Sequence, residues 1–380
     1  MILNTKLFQE AANKILLAVS ADKTNIANVE LEAKEKMLYL RVTNKEFYVG
    51  IKFNLDSDET FRAVVDANLF LNLVSSITAD TFELDIKDNV LLVKAGKSSY
   101  KLALIYENDE LMKLPAIRLF QDQVKVEMNV GHDILSSILN VNSKEIQKAK
   151  HIDVNELQRY YYVDETGCFT FTTGACVNSF TLDQPIRLLL NEKIVKLFKL
   201  FTTDAYLQYG YVPEGSELRP IVTLQSGDNI YVAARLQCDD KLISKIKAPC
   251  DAMKNLIKEK YAHNLVLSAT TLSAAIARLL MFTKNSNAKV EPSFIPATVE
   301  ITANEMTISD ATGDNSEVIT IENGSAVDGT YTMGINLIDL KSVLDSCKNE
   351  HITMNCGNHK SVIINRGPIS NVVAEARIVK

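Results

Sequence analysis

The chain has no tryptophan, and its 380 residues include only eight prolines, five histidines and six cysteines. The cysteines, Cys168, Cys176, Cys238, Cys250, Cys347 and Cys356, form no C-x-x-C pair. That spacing argues against zinc and against a secreted disulfide scaffold, and it fits a reducing cytosol. His132, His151, His263, His351 and His359 lie far apart without metal-ligand spacing, so no metal and no other cofactor is expected. No apolar run approaches the roughly 20 residues that a membrane helix needs. The opening "MILNTKLFQE" lacks a basic segment followed by an apolar one, so no signal peptide is expected and the protein reads as cytoplasmic. Catalytic signatures are missing as well: G-x-S-x-G, a phosphate-binding glycine loop, H-E-x-x-H and a Walker lysine. These gaps argue against an enzyme.

What is present is a composition of 47% hydrophobic and 23% charged residues, that of a soluble globular protein. The length suggests two or three domains of roughly 100–150 residues each. The net charge of −6 speaks against nucleic acid on average, but distribution over the surface decides binding.

Six amphipathic helices stand out from a background of strands. The first begins near Thr5 and carries Phe8, Ala11, Ala12, Ile15, Leu16 and Val19 on one face. The second follows Asp66, a capping residue, with Leu69, Phe70, Leu73, Val74 and Ile77 inward. The third runs from about Gly131 through Ile134, Leu135, Ile138 and Leu139, and the fourth follows Asn191 with Ile194, Val195, Leu197, Phe198 and Phe201. The fifth opens near Thr271 with Leu272, Ile276, Leu279 and Leu280, and the sixth follows Asn336 with Leu337, Leu340, Val343 and Leu344. Within each pair the helices start about 60 to 66 residues apart, and pairs recur every 125 to 145 or so. A short apolar strand precedes each second helix ("FRAVV", "PIRLLL", "TYTMGI"), and alternating strands follow every helix. Turn signals such as Lys-Asp-Asn and Ala-Gly-Lys make these strands antiparallel meanders.

The expected fold is therefore α+β: a doubled strand–helix–meander unit, used three times. The polar connectors at residues 106–122 and 238–263 set the limits at 1–121, 122–250 and 251–380, and the second connector has room for a helical turn or two.

Basic residues collect on the helices: Lys6 and Lys14 on the first, Lys193, Lys196 and Lys199 on the fourth, Arg278 and Lys284 at the fifth, Lys341 and Lys348 on the sixth. On one helix this pattern reads as a solvated face. Its return on helices in equivalent repeat positions points to one side of positive potential, with the acidic residues elsewhere.

One stretch, "FTTGACVNSF" at 171–180, leaves three readings open: a nucleophile at Cys176, a turn between strands, or the wall of a pocket. The nucleophile would need a nearby base and an electropositive setting, and the local sequence supplies neither.

Taken in order over the whole chain, these repeats resemble the bacterial DNA polymerase III beta subunit, the sliding clamp family. "FRAVVDANLFLNLVSSI" and "FELDIKDNVLLVKAGKSSYKLAL" are similar to its strand, helix and hairpin, and "AGKSSYKL" to its Ser-Gly-x-Ser-x-Phe-x-Leu pattern. The resemblance implies a clamp fold: three tandem domains with helices lining a ring and sheets outside, closed head to tail as a homodimer. It implies a non-catalytic processivity factor that encircles double-stranded DNA without reading sequence. The partners implied are a DNA polymerase and clamp-loader subunits, through short linear peptides, and no membrane. It also implies that the nine basic residues named above face DNA.

For the peptide groove, the resemblance places the family's Thr-Asp-Gly-His-Arg-Leu turn on Thr172, Thr173, Gly174, Ala175, Cys176 and Val177. It places the family's C-terminal Val-Val-Met-Pro-Met-Arg-Leu on Val372, Val373, Ala374, Glu375, Ala376, Arg377 and Ile378. Ala175 and Cys176 replace His-Arg, two alanines replace methionines and Glu375 replaces proline, so the client peptides are expected to differ. For the ring contact it implies Leu111 on one chain against Met281 and Phe282 on the other, two residues that also read as ordinary core. A second reading keeps the fold and assigns a divergent clamp of a phage or mobile element, serving another polymerase or a regulatory partner. A third, a hydrolase or ligand-binding enzyme on an unrelated repeat scaffold, lacks any catalytic cluster to support it.

Overall fold

The computed structural model describes residues 1–22, 25–56, 58–117, 120, 124–140, 160–171, 175–227, 229–236, 240–285, 294–347 and 350–377. Strands and helices alternate as expected, and capping chemistry places several helix starts. Asn4, Asp66 and Asn191 each accept from the backbone N–H three residues on, at Leu7, Leu69 and Ile194, and Asn336 accepts from Ile338. Each bond satisfies one of the N–H groups a helix start leaves open.

The chain forms two compact units, residues 1–139 with 182–239 and residues 140–181 with 240–380. In the first unit an eight-stranded antiparallel sheet runs in the order Val124–Val130, Ala205–Glu214, Glu217–Ser226, Ile230–Arg235, Phe47–Asn54, Met37–Thr43, Asn28–Lys34, Phe61–Asp66. Its middle joins distant segments, with Val232 opposite Val49 and Ala233 opposite Tyr48. Pairing thus runs straight across the limit drawn at 121 and 122. A second sheet orders Ile2–Asn4, Thr81–Lys87, Val90–Ala95 and Ser98–Ala103.

The helix Thr5–Ala21 packs on strands Met37–Thr43 and Phe47–Asn54 and against helices Ala67–Ser75 and Glu192–Leu197. Phe8 is the hub, edge-on to Phe53, Phe70 and Phe82 at 5.5, 6.0 and 5.2 Å between ring centroids. Gln9 Nε2 donates to the carbonyls of Val74 and Ile77 at 3.0 and 2.8 Å, closing the end of the neighbouring helix. Leu69, expected inward, is 60% exposed. That helix buries Ala67, Phe70, Leu71 and Val74, and Leu69 stands about 100° off their stripe.

In the second unit the strands Tyr161–Asp164, Gly167–Phe171, Ala175–Ser179 and Ile369–Ala376 pair in that order. The last of these is a branch point. It pairs with Ser361–Arg366, which continues through His351–Cys356 to His263–Ser268. Its end also meets Tyr331–Asn336, which continues through Pro296–Ile301 and Glu305–Asp310 to Ser316–Thr320. Leu272, Ile276 and Leu279 of helix Ala269–Asn285 and Leu340 and Leu344 of helix Leu337–Asp345 fill one core with these strands. The second connector departs from expectation. Instead of a turn or two it carries a helix of 19 residues, Asp240–Lys258, with Pro249 inside it.

Candidate nucleic-acid interface and peptide-binding wall

The basic residues whose placement is described all lie on helices or their ends, but they are not equivalent. Lys6 is exposed and Lys14 half-buried on Thr5–Ala21, Lys199 is exposed on the 3-10 turn Phe198–Leu200, and none has an ion pair among the described residues. Four others are committed to carboxylates. Lys193 Nζ lies 3.0 Å from Asp22 and 3.4 Å from Glu46. Burial alone would lower the Lys193 pKa, but the hydrogen bond to Asp22 and the charge of Glu46 raise it. Asp22 itself is buried and also takes hydrogen bonds from Asn44 and Asn25, so Lys193 is a structural cation. Lys196 pairs with Glu192 at 2.7 Å and Lys341 with Asp345 at 2.9 Å. Arg278 grips Glu317 with two bonds of 2.7 Å, and this holds the Glu317 carboxyl below its ordinary value. The side chain of Lys284 and all of Lys348 lie outside the described residues.

The two segments expected to build a peptide groove are brought together directly. Ala175 sits opposite Val372, Cys176 opposite Asn371 and Val177 opposite Ser370. Alternation turns Val177 and Val372 to one face and Cys176 to the other. Cys176 is buried. Its neighbours Cys168 and Cys250 are pushed up by burial, Cys250 to about 12, so these are thiols and not thiolates. Thr172, Gly174 and Ile378 lie outside the described residues, and Ala374, Ala376 and Arg377 are open or half-open to solvent.

Several residues on this face escaped the sequence reading. Val372 and Ile363 form a small apolar cluster with Phe171, Met253, Leu256, Ile257 and Tyr261, so the connector helix packs on the very wall that Val372 was expected to offer. Lys254 fastens that helix: its Nζ lies 2.8 Å from Asp164 and 5.0 Å from the centre of the Phe169 ring. The period of 3.6 in Ile246, Cys250, Met253 and Ile257 was the signal, masked by Pro249. Glu375 accepts a 2.8 Å hydrogen bond from the Tyr331 hydroxyl.

Met281 and Phe282 are 63% and 56% exposed at the end of their helix, which sets aside the reading of both as ordinary core. Leu111 is half-buried in the two-residue strand Glu110–Leu111. Among the described residues no cluster of side chains could hold a metal ion, and no helix is long and apolar enough to cross a membrane.

No family model matches the sequence. It is 29% identical over 112 residues to the beta sliding clamp of Helicobacter pylori, a match that covers 28% of this chain and 28% of that relative's length. The structure superposes on the DNA polymerase III subunit beta of Pseudomonas aeruginosa with a TM-score of 0.71 at 15% identity, covering 99% of both chains. The DNA polymerase III beta subunit of Thermotoga maritima gives a TM-score of 0.71 at 17% identity, over 100% of this chain and 99% of that one. Over its full length this chain therefore has the fold of the bacterial beta sliding clamps, and over 112 residues its sequence is similar to one of them.

Proposed function

We propose that the protein is a DNA sliding clamp: a non-catalytic, cytoplasmic processivity factor that closes around duplex DNA and tethers a polymerase to it. The observation that carries this reading is the clamp fold over 99% of the chain, with basic residues on its repeated helices. In this reading three domains, 1–121, 122–250 and 251–380, from each of two chains make the ring. Lys6, Lys14 and Lys199 supply sequence-independent phosphate contacts, with Lys284 and Lys348 as further candidates. Paired Lys193, Lys196, Arg278 and Lys341 contribute little, because each already has a carboxylate beside it. Loose contacts of this kind hold a ring on DNA yet let it slide.

Two exposed sheet edges, Ser98–Ala103 in the first unit and Ser316–Thr320 in the second, would otherwise invite aggregation, and head-to-tail closure with Leu111, Met281 and Phe282 at the contact would cover them. Polymerase and clamp-loader peptides would dock at the Ala175–Val177 and Val372–Arg377 wall, in competition with the connector helix. The bacterial relatives favour a host replication role over the phage or mobile-element alternative. The test is retention on nicked circular DNA. Wild type should stay bound to the circle and be lost once the same DNA is linearised, and a Met281→Asp/Phe282→Asp variant should be lost from both. Equal retention on circle and linear DNA would sink the reading.

A further inference from the structure

The eight-stranded sheet of the first unit has a second face that the helices do not use. Along Phe47–Asn54, Phe53 meets Phe8 of the first helix, so Tyr48, Gly50 and Lys52 point the other way. The register sets Arg41 and Tyr231 on either side of Gly50, and Tyr39 beside Lys52. A solvated sheet face would be covered by small polar residues, but this one is an open cavity of about 630 Å³. That lies within the ~300–1,000 Å³ range of ligand sites.

Its far wall is the segment 113–117, pinned to the sheet from both sides. Thr43 Oγ1 donates to the Pro115 carbonyl at 3.0 Å, and Arg62 Nη2 to the Met112 carbonyl at 2.9 Å. Ile117 is buried against Val212 and Ile221, with Tyr48 packed on them. The cavity is therefore built by long-range contacts and is not a gap beside a loose loop.

Its lining is amphipathic in a particular way. The Tyr48 and Tyr231 rings lie edge to face at 6.0 Å, with Ile51, Leu114 and Ile117 nearby. A Cβ at position 50 would come within 3.0 Å of the Tyr48 hydroxyl, so glycine there is what lets that ring lie flat over the strand. Arg41, Lys52, Arg62 and Lys113 line the cavity, whereas Glu30 is its sole carboxylate. Glu30 holds both arginines, at 3.3 and 2.8 Å, Glu32 pairs with Arg41 as well, and Glu110 lies 3.8 Å from Lys113 at the exposed rim. Lys52 has no ion pair among the described residues. Four cations against three carboxylates leave a positive excess of one here, carried by Lys52 between aromatic walls.

The lining residues span the strands from Phe61–Asp66 to Glu217–Ser226, five inter-strand steps. At about 4.8 Å per step this is about 24 Å, the reach of about seven extended residues. Such a length suits an extended chain better than a compact solute.

We propose that this trough is a docking site for a short linear peptide segment of a partner protein, one that carries a carboxylate beside an aromatic or branched aliphatic side chain. The carboxylate sits on Lys52 and Lys113, and the apolar side chain enters between Tyr48, Tyr231 and Ile117. The site is independent of the Val372 wall and of ring closure.

The probe is a phage-displayed library of random heptapeptides, panned on wild-type protein after depletion on a Lys52→Glu/Lys113→Glu variant. Both substitutions lie on solvent-facing lysines, and a urea midpoint equal to wild type checks that the variant folds. The expected survivors contain Asp or Glu next to Phe, Tyr, Leu or Ile. As synthetic peptides they should bind wild type at least tenfold more tightly than the variant by calorimetry. The variant should remain on circular DNA as wild type does, which separates this outcome from failure of the clamp reading. No enrichment after depletion, enrichment of basic peptides, or equal affinity for the two proteins would each overturn the proposal.

Discussion

Lys193 shows at residue scale how a cation on a helix can belong to the fold and not to a ligand. Its partner Asp22 has a side chain only 1% exposed, and 171 positions separate the two in sequence, so no local pattern could announce the pair. Replacing Lys193 with methionine leaves that carboxylate buried without its cation, with Asn44 and Asn25 still donating to it. A loss of about 1–2 kcal/mol is expected in urea unfolding, whereas Lys199→Gln, on an exposed and unpaired lysine, should move stability by less than about 0.5 kcal/mol.

Acid should act at a different place. Burial would raise the Asp310 carboxyl, but hydrogen bonds from Asn315, Thr312 and Gly313 win and lower it from 3.8. Glu317 is lowered from 4.5 by Arg278. A carboxyl lowered in the fold contributes stability that is present above its unfolded value and lost as pH falls through the folded one. Amide protection factors in Glu305–Asp310 and Ser316–Thr320, taken relative to the intrinsic rate at each pH, should thus be unchanged from pH 7 to about 5 and fall below about pH 4. Protection that declines steadily from pH 7 would contradict this.

At the scale of elements, caps and alternation carried most of the information. Asp66, Asn191 and Asn336 are the short polar side chains that precede an expected apolar stripe, and the structure uses all three, with Asn4 capping the first helix in the same way. The Asp88–Asn89 turn was legible for the same reason, since both residues adopt positive φ, at 50° and 61°. Glu35 and Lys36 make an equivalent turn at 53° and 59° without a glycine or asparagine to signal it. There the flanking strands impose the turn.

The connector helix was misjudged because Pro249 reads as a stop, yet the apolar stripe on both sides of it supplies enough packing to carry the helix through. Its anchor is Lys254, and Lys254→Met keeps the bulk over Phe169 while removing the charge from buried Asp164. The Thr166 bonds to Asp164 remain, so a loss of about 1–3 kcal/mol is expected. Deuterium uptake over 242–258 should rise with it, and an unchanged uptake would show that apolar packing alone holds the helix in place.

On the scale of the whole molecule, the recurring helix stripes were visible because each helix must bury one face against its sheet, and that need writes the same period into the sequence each time. What the repeat could not reveal is which cations remain free. Ion pairing depends on carboxylates such as Asp22, Glu46 and Glu317, which approach through tertiary structure. The seven basic residues whose side chains are described therefore divide into four paired and three unpaired, and for Lys193 and Arg278 only the fold reveals the partner. The division has a measurable consequence for DNA binding. Each phosphate neutralised by a free cation adds about 0.9 to the slope of log affinity against log salt concentration. A cation already neutralised by its own carboxylate releases few DNA counterions and adds much less. Lys6→Gln/Lys14→Gln/Lys199→Gln should flatten that slope by up to about 5 in a salt titration on duplex DNA, since a two-chain ring carries each lysine twice. Lys196→Gln/Lys341→Gln should flatten it by well under 1 for each residue lost. If the two sets flattened it equally per residue, the helix carboxylates would have to swing away when DNA enters. Pairing in the free protein would then be a poor guide to its electrostatics on DNA.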